Sequence, residues 1–181
     1  MFLAINKWPL GMTVLLLLSG VNAQASILCT SDNENGAIAA TTPSSDFSDN
    51  GDGTVTHNKT GLMWQRCSLG QSWEGDYCSG VANTYSWLQA LQHAEKNTFA
   101  GVSDWRLPNK NELASIIEYR CWSPAINGQQ FPNTRDGWYW SSSPYADNRF
   151  YAWFVNFGNG SVGSFSKVHG RNNVRLVRAG Q

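Results

Sequence analysis

Asp104-Trp105-Arg106-Leu107-Pro108-Asn109-Lys110-Asn111-Glu112-Leu113 is the stretch on which the fold turns. Trp105 and Leu107 anchor a buried extended segment, and Arg106 between them needs a carboxylate if it is buried. Pro108 closes that segment. Asn109 is then an N-cap, and Glu112 three residues later completes a capping box, in which side chain and backbone satisfy each other at the helix start. Leu113, Ile116 and Ile117 carry the apolar stripe of a helix that runs to Tyr119. Strand, cap and helix account for the whole stretch. Nothing in it requires chemistry on a substrate.

Upstream of this stretch, Thr84 to Phe99 reads as a first helix. Trp87, Leu91 and Ala94 recur at helical spacing, Ala90 supports them, and Gly101 is placed to end it. Earlier still, Thr54 to His57 and Leu62 to Arg66 are strand-like, joined by the turn Asn58-Lys59-Thr60-Gly61, and so predict a β-hairpin. Beyond the second helix the pattern turns to strand. Trp138 to Ser143 is one candidate, and Arg149 to Phe157, apolar on both faces, is a central one. Ser161 to Val168 returns after Gly158-Asn159-Gly160, and Val174 to Arg178 closes the domain beside the early hairpin. Two helices with small antiparallel sheets define an α+β domain.

The first residues have a different character. Lys7, the apolar run Met12 to Leu18 and the small residues ending in Ala23-Gln24-Ala25 are the three parts of a secretory signal. We expect cleavage after Ala25, with Ala23 as the alternative, giving a signal peptide at 1–25, an extended leader at 26–46 and the domain at 47–181. The apolar run falls short of the roughly 20 residues that a membrane span needs. No cysteine sits in a lipobox-like context, which argues against a lipid anchor. Cys29, Cys67, Cys78 and Cys121 are an even set in a chain read as exported, which favours two disulfides over a metal site. Cys67 with Cys78 is the first pair suggested by proximity and leaves Cys29 with Cys121, although spacing alone leaves three pairings open.

Formal charge is zero but unevenly spread. Residues 26–119 hold eleven acidic against five basic side chains, and residues 120–181 seven basic against two acidic. Such asymmetry makes either an anion-binding face or a set of ion pairs between the two halves. Gly158-x-Gly160-x-x-Gly163 spells a dinucleotide fingerprint, but the residues after it read as strand rather than as the helix whose N-terminus would hold phosphates. The cluster Asp49-Asn50-Gly51-Asp52-Gly53 lacks the closing glutamate of a calcium loop and reads as a turn. His57, His93 and His169 are scattered, with no zinc or nucleophile-elbow motif around them.

Asn50-Gly51-Asp52-Gly53-Thr54-Val55-Thr56, Thr60-Gly61-Leu62-Met63-Trp64-Gln65, Asp104-Trp105-Arg106-Leu107-Pro108 with Glu112-Leu113, Tyr139-Trp140-Ser141-Ser142-Ser143 and Val174-Arg175-Leu176-Val177-Arg178 occur in that order. Together they resemble the DUF1566 family, the domain at the C-terminus of the Legionella collagen-like adhesin, over residues 47 to 178. The Arg106-Leu107-Pro108 piece with Glu112 is also similar to the formylglycine-generating enzyme, which implies a C-type-lectin-like fold. The resemblance implies export in Gram-negative bacteria and, for the adhesin, binding of sulfated polysaccharides; it implies no known active site. The adhesin's collagen-like repeats are missing here. So is a C-terminal cysteine pair like that of the formylglycine-generating enzyme. Phe131-Pro132-Asn133 has Phe where a calcium-dependent lectin has an acidic or amide ligand.

The expectation is therefore an exported, non-catalytic binding module for sulfated or other glycans, located in the periplasm, at the cell surface or in the medium. It needs no cofactor, binds no nucleic acid and has no membrane span after signal cleavage. Arg149, Lys167, Arg171 and Arg175 are the candidate cations, with forks suited to sulfate, and Trp122 or Trp138 is the candidate stacking platform. Trp64, Trp105, Trp140 and Trp153 are assigned to packing. The alternative is an envelope-assembly module with a protein partner, in which the aromatics mark an interface.

Overall fold

A computed structural model describes residues 28–30 and 32–180. The expected signal peptide lies outside the described residues. The described chain is α+β, as its pattern implies. β1 (Phe47–Asp49), β2 (Thr54–His57) and β3 (Leu62–Gln65) form a meander, followed by the short ribbon β4 (Ser72–Trp73) and β5 (Cys78–Ser79). Helices α1 (Trp87–Glu95) and α2 (Lys110–Ala114) come next, then β6 (Trp138–Pro144), β7 (Tyr151–Asn156), β8 (Ser161–Ser166) and β9 (Val177–Ala179). The first sheet has the order β1-β2-β3-β9, so the early hairpin lies beside the last strand. In the second sheet, β6-β7-β8, the strand that is apolar on both faces is central.

Alternation along β6 and β7 explains how one sheet serves two cores. Tyr139, Val155 and Phe157 face a cluster with Trp64, Leu113, Ile116 and Phe131. Trp140, Ala152 and Phe154 face the other way, against Trp105, Leu107 and Leu176. Successive strand residues point to opposite faces, so this division follows from period two. Burying each large apolar side chain is worth about 1.5–3 kcal/mol, and the tryptophans at 64, 105 and 140 are all interior.

The second helix starts at its expected cap, Asn109, whereas the first is shorter than the expected Thr84 to Phe99 and begins after Ser86. Ser86 with Gln89 and Asn109 with Glu112 make complete capping boxes. The second helix is much shorter than its apolar stripe suggests. The Ser115 hydroxyl donates to the Glu112 carbonyl at 2.7 Å, and Ile117 then bridges Ile126. Leu113, Ile116 and Ile117 are buried, but tertiary pairing rather than helical continuation places the last two. Arg106 is not buried: its guanidinium lies at the surface, where it forms a two-pronged bond to Glu112, and its backbone bridges Val177. Glu112 thus serves both the cap and Arg106.

The disulfides are Cys29–Cys121 and Cys67–Cys78. The first explains why the segment before β1 is no loose leader. Leu28 and Cys29 are buried with Cys121, and Glu34 bridges Cys121. Thr41 and Thr42 close over Glu118, which has no exposure at all. Its carboxylate accepts from the Thr41, Thr42 and Arg120 N–H groups at 2.9, 2.7 and 2.9 Å and from both threonine hydroxyls. The sequence of this segment shows little pattern because its bonds are made by backbone and by small polar side chains.

Candidate functional site

The loop entering β6 and the segment before β9 enclose a shallow cleft of about 270 Å³. Backbone pairing sets its walls. Asn172 exchanges both of its backbone bonds with Tyr85, Asn173 N–H donates to the Trp138 carbonyl, and Trp140 N–H donates to the Asn173 carbonyl. Asn172 and Asn173 are thereby fixed between the start of α1 and the start of β6. Arg135, Asp136, Trp138 and Arg171 line the mouth with them.

Arg171 Nη1 donates to Gln89 Oε1 at 2.6 Å, and Gln89 is itself held in the capping box of α1. The Trp138 indole stacks on Phe154, with centroids 4.7 Å apart and planes at 14°, and meets Phe165 edge-on. It keeps 39% of its surface exposed. Asn173 Nδ2 donates to the Trp138 carbonyl at 3.2 Å. Its Oδ1, like Asn172 Nδ2, has no protein partner, although the two residues are only 4% and 2% exposed. A buried polar atom without a bond costs roughly 1–3 kcal/mol, so this pair calls for an explanation.

The sequence candidates separate into three groups. Trp138 and Arg171 meet in the cleft. Arg149 and Lys167 lie together at the open end of the β7–β8 hairpin: Lys167 Nζ donates to the Arg149 carbonyl at 2.9 Å and sits 4.4 Å over the Trp87 ring, while Arg149 covers Phe150. Trp122 is 44% exposed but is held by Asn33 and does not line the cleft.

Arg175 is a correction. It is 0% exposed and cannot meet a ligand from solvent. Its guanidinium donates to the Gln65 and Arg66 carbonyls and to the Ser68 and Thr134 hydroxyls, with Phe131 beneath it. Burial pushes its pKa down to about 10. Trp153, assigned to packing, is half-buried, with Lys110 over its ring at 4.6 Å. Sequence reading missed Arg135, Asp136, Asn172 and Asn173. The available signal was the polar run Arg171-Asn172-Asn173 directly before an apolar closing strand.

Ion pairing between the two halves accounts for part of the charge asymmetry. Arg120 pairs with Glu34 at 2.5 Å and Arg178 with Asp104 at 2.6 Å. The Arg178 guanidinium holds the Asp104 carboxyl below its ordinary range. Among the described residues, Arg135, Arg149, Lys167 and Arg171 take part in no ion pair. Gly158 to Gly163 lies at the β7–β8 turn and runs into a strand, so its fingerprint spelling has no helix behind it. In the acidic turn, Asp49 and Asp52 are occupied by the Gly51 and Thr54 N–H groups and by Arg66. Among the described residues, no group of three or more His, Cys, Asp or Glu side chains could hold a metal ion.

The Lcl C-terminal domain family matches residues 53–178, more than half of the chain. The chain belongs to that family. No curated protein is significantly similar to it. As an Lcl C-terminal domain it is an adhesin-like module. The match begins after β1, so the Glu118 clasp and the Cys29–Cys121 bridge reach from the family core to residues ahead of it. Two disulfides and an adhesin-type domain are marks of an exported protein, and among the described residues no helix is long and apolar enough to cross a membrane.

Proposed function

We propose that this Lcl C-terminal domain is a non-catalytic module that binds a polyanionic glycan at the bacterial envelope or cell surface. The observation that carries the reading is the set of four cations without an acidic partner: Arg135, Arg149, Lys167 and Arg171. Unpaired guanidinium groups keep their forks free for sulfate or carboxylate, and Trp138 offers an indole surface beside two of them. The pairing of β3 with β9 supports our further assignment of the fold to the C-type-lectin-like group.

A second reading has its own observation. Leu88, Phe150 and Val168 are exposed next to Trp87 and Lys167 in sequence or through the Lys167–Phe150 backbone bond. Exposed apolar residues beside cations also suit an envelope protein with an acidic surface.

Retention on heparin or fucoidan resin across a salt gradient separates the two. A polyanion site retains the protein at low salt and releases it as screening rises, and Arg149→Ala with Lys167→Ala moves elution to lower salt. Passage through the column in the void at low salt sinks the glycan reading and leaves the protein partner.

A further inference from the structure

We propose that the end of the domain built from Trp87-Leu88, Arg149-Phe150 and Lys167-Val168 docks on a bilayer surface that contains anionic phospholipid. The inference goes beyond the glycan reading, since it turns on apolar side chains that a polyanion does not use. Backbone bonds bring three segments distant in sequence to this one end. Lys167 N–H donates to the Phe150 carbonyl at 2.9 Å, and Trp87 N–H donates to the Lys167 carbonyl at 3.2 Å. Leu88, Phe150 and Val168 are 60%, 59% and 70% exposed there. Cations are interleaved with them. The Lys167 ammonium lies 4.4 Å over the Trp87 ring and donates to the Arg149 carbonyl at 2.9 Å. The Arg149 guanidinium covers the Phe150 ring, and Arg171 reaches the same helix start through Gln89. Among the described residues none of these three cations has an ion-pair partner. The carboxylate nearest to them in sequence, Asp147, lies beside the Tyr145 hydroxyl. Exposed apolar side chains among unpaired cations match a bilayer interface, where the apolar groups enter the headgroup layer and Lys and Arg meet lipid phosphates. Two further features favour lipid over a protein partner. Lysine is depleted at protein interfaces, whereas its apolar stem and charged head suit the headgroup layer. The tip also has its polar groups bonded. Phe150 N–H donates to Asn148 Oδ1 at 3.0 Å, its carbonyl accepts from Lys167 N–H, and the Trp87 indole N–H donates to the Ser141 carbonyl at 2.8 Å. Side chains therefore enter a water-poor layer without stranding these groups.

The test is co-sedimentation of the purified protein with vesicles of phosphatidylcholine alone and of phosphatidylcholine with an equal part of phosphatidylglycerol. The expected result is binding to the mixed vesicles and weaker binding to phosphatidylcholine alone, by about fivefold for each cation engaged. Arg149→Ala with Lys167→Ala weakens binding to the mixed vesicles by the same factor per residue. Phe150→Ser with Val168→Ser removes apolar surface and keeps every charge, and it weakens vesicle binding by about tenfold or more. Both residues are exposed, so this serine variant keeps its melting temperature and its retention on heparin. No binding to the mixed vesicles, equal binding to phosphatidylcholine alone, or unchanged vesicle binding by the serine variant overturns the proposal. The first of these outcomes leaves the exposed end to a protein partner. The result is separable from the resin experiment. Retention on heparin without vesicle binding removes the bilayer and leaves the glycan reading, whereas vesicle binding by a protein that passes through the resin does the reverse.

Discussion

Replacing Glu118 by Gln tests whether the segment before β1 is part of the folded domain. The carboxylate is fully buried, and three backbone N–H groups and two hydroxyls converge on it. Glutamine keeps the shape but offers one oxygen in place of two. Its better orientation leaves that oxygen facing Thr41 and Arg120, with the amide nitrogen set against the Thr42 N–H. One bond to a charged acceptor, worth about 1.5–3 kcal/mol, is then lost, and the two that remain fall to neutral strength. The sum is a destabilisation of about 3 kcal/mol, or roughly 6–12 °C in melting temperature for a domain of this size. Cys29–Cys121 still tethers the segment, so the variant stays folded at low temperature and can be melted. Denaturant unfolding of the oxidised protein measures the change. Hydrogen exchange at Thr42 locates it, since its amide must become the least protected of the three. A loss below about 1 kcal/mol, with that amide unchanged, refutes the claim that this carboxylate holds the segment down.

Arg175→Ala strands the Gln65 and Arg66 carbonyls and opens a cavity over Phe131, which lowers stability by about 3–5 kcal/mol. Retention of the folded fraction on heparin stays the same; a normal melt with lost retention would return Arg175 to the ligand site. His57 is buried against Phe47, near Asp46, Lys59 and Thr60, and burial lowers its pKa from the ordinary 6.5. The unfolded chain therefore binds the proton first, so stability is full above pH about 6.5 and declines below it until the folded-state pKa is passed. His57→Gln flattens that part of the profile, and an unchanged slope between pH 6.5 and 5 in the variant shows that another group is responsible.

Elements that rest on local signals were legible in advance. The hairpin at 54–65, the capping box of Asn109 with Glu112 and the central strand β7 follow from turn residues, an N-cap and period-two alternation, which act over a few residues. The strand β1 and the ribbon β4–β5 were not legible. Three-residue and two-residue strands carry too little pattern to show, and the ribbon depends on its disulfide. The second helix misled because Leu113, Ile116 and Ile117 satisfy a helical template whether the last turn is helical or bridged to Ile126. At the site, Trp138 and Arg171 were visible as an exposed-type aromatic and a cation. Their neighbours Asn172 and Asn173 were not, since only the missing bonds of buried amides make them distinctive, and bonds of that kind are invisible in a sequence.

Arg175 shows why counting cations misstates the binding surface and subtracting them restores it. Seven basic residues follow Tyr119. Arg120 and Arg178 are spent on carboxylates from the first half, and Arg175 on backbone carbonyls and hydroxyls inside the fold. Arg135, Arg149, Lys167 and Arg171 remain, and none of them has an acidic partner. The interior meanwhile holds two charged side chains without a countercharge, Glu118 and Arg175, each bonded to backbone groups and hydroxyls. Arg66 and Arg178, also buried, draw instead on the exposed carboxylates of Asp49 and Asp104. Because Glu118 and Arg175 are held by uncharged groups, neither takes up a surface charge, and the four cations that stay without an acidic partner suit an anionic ligand.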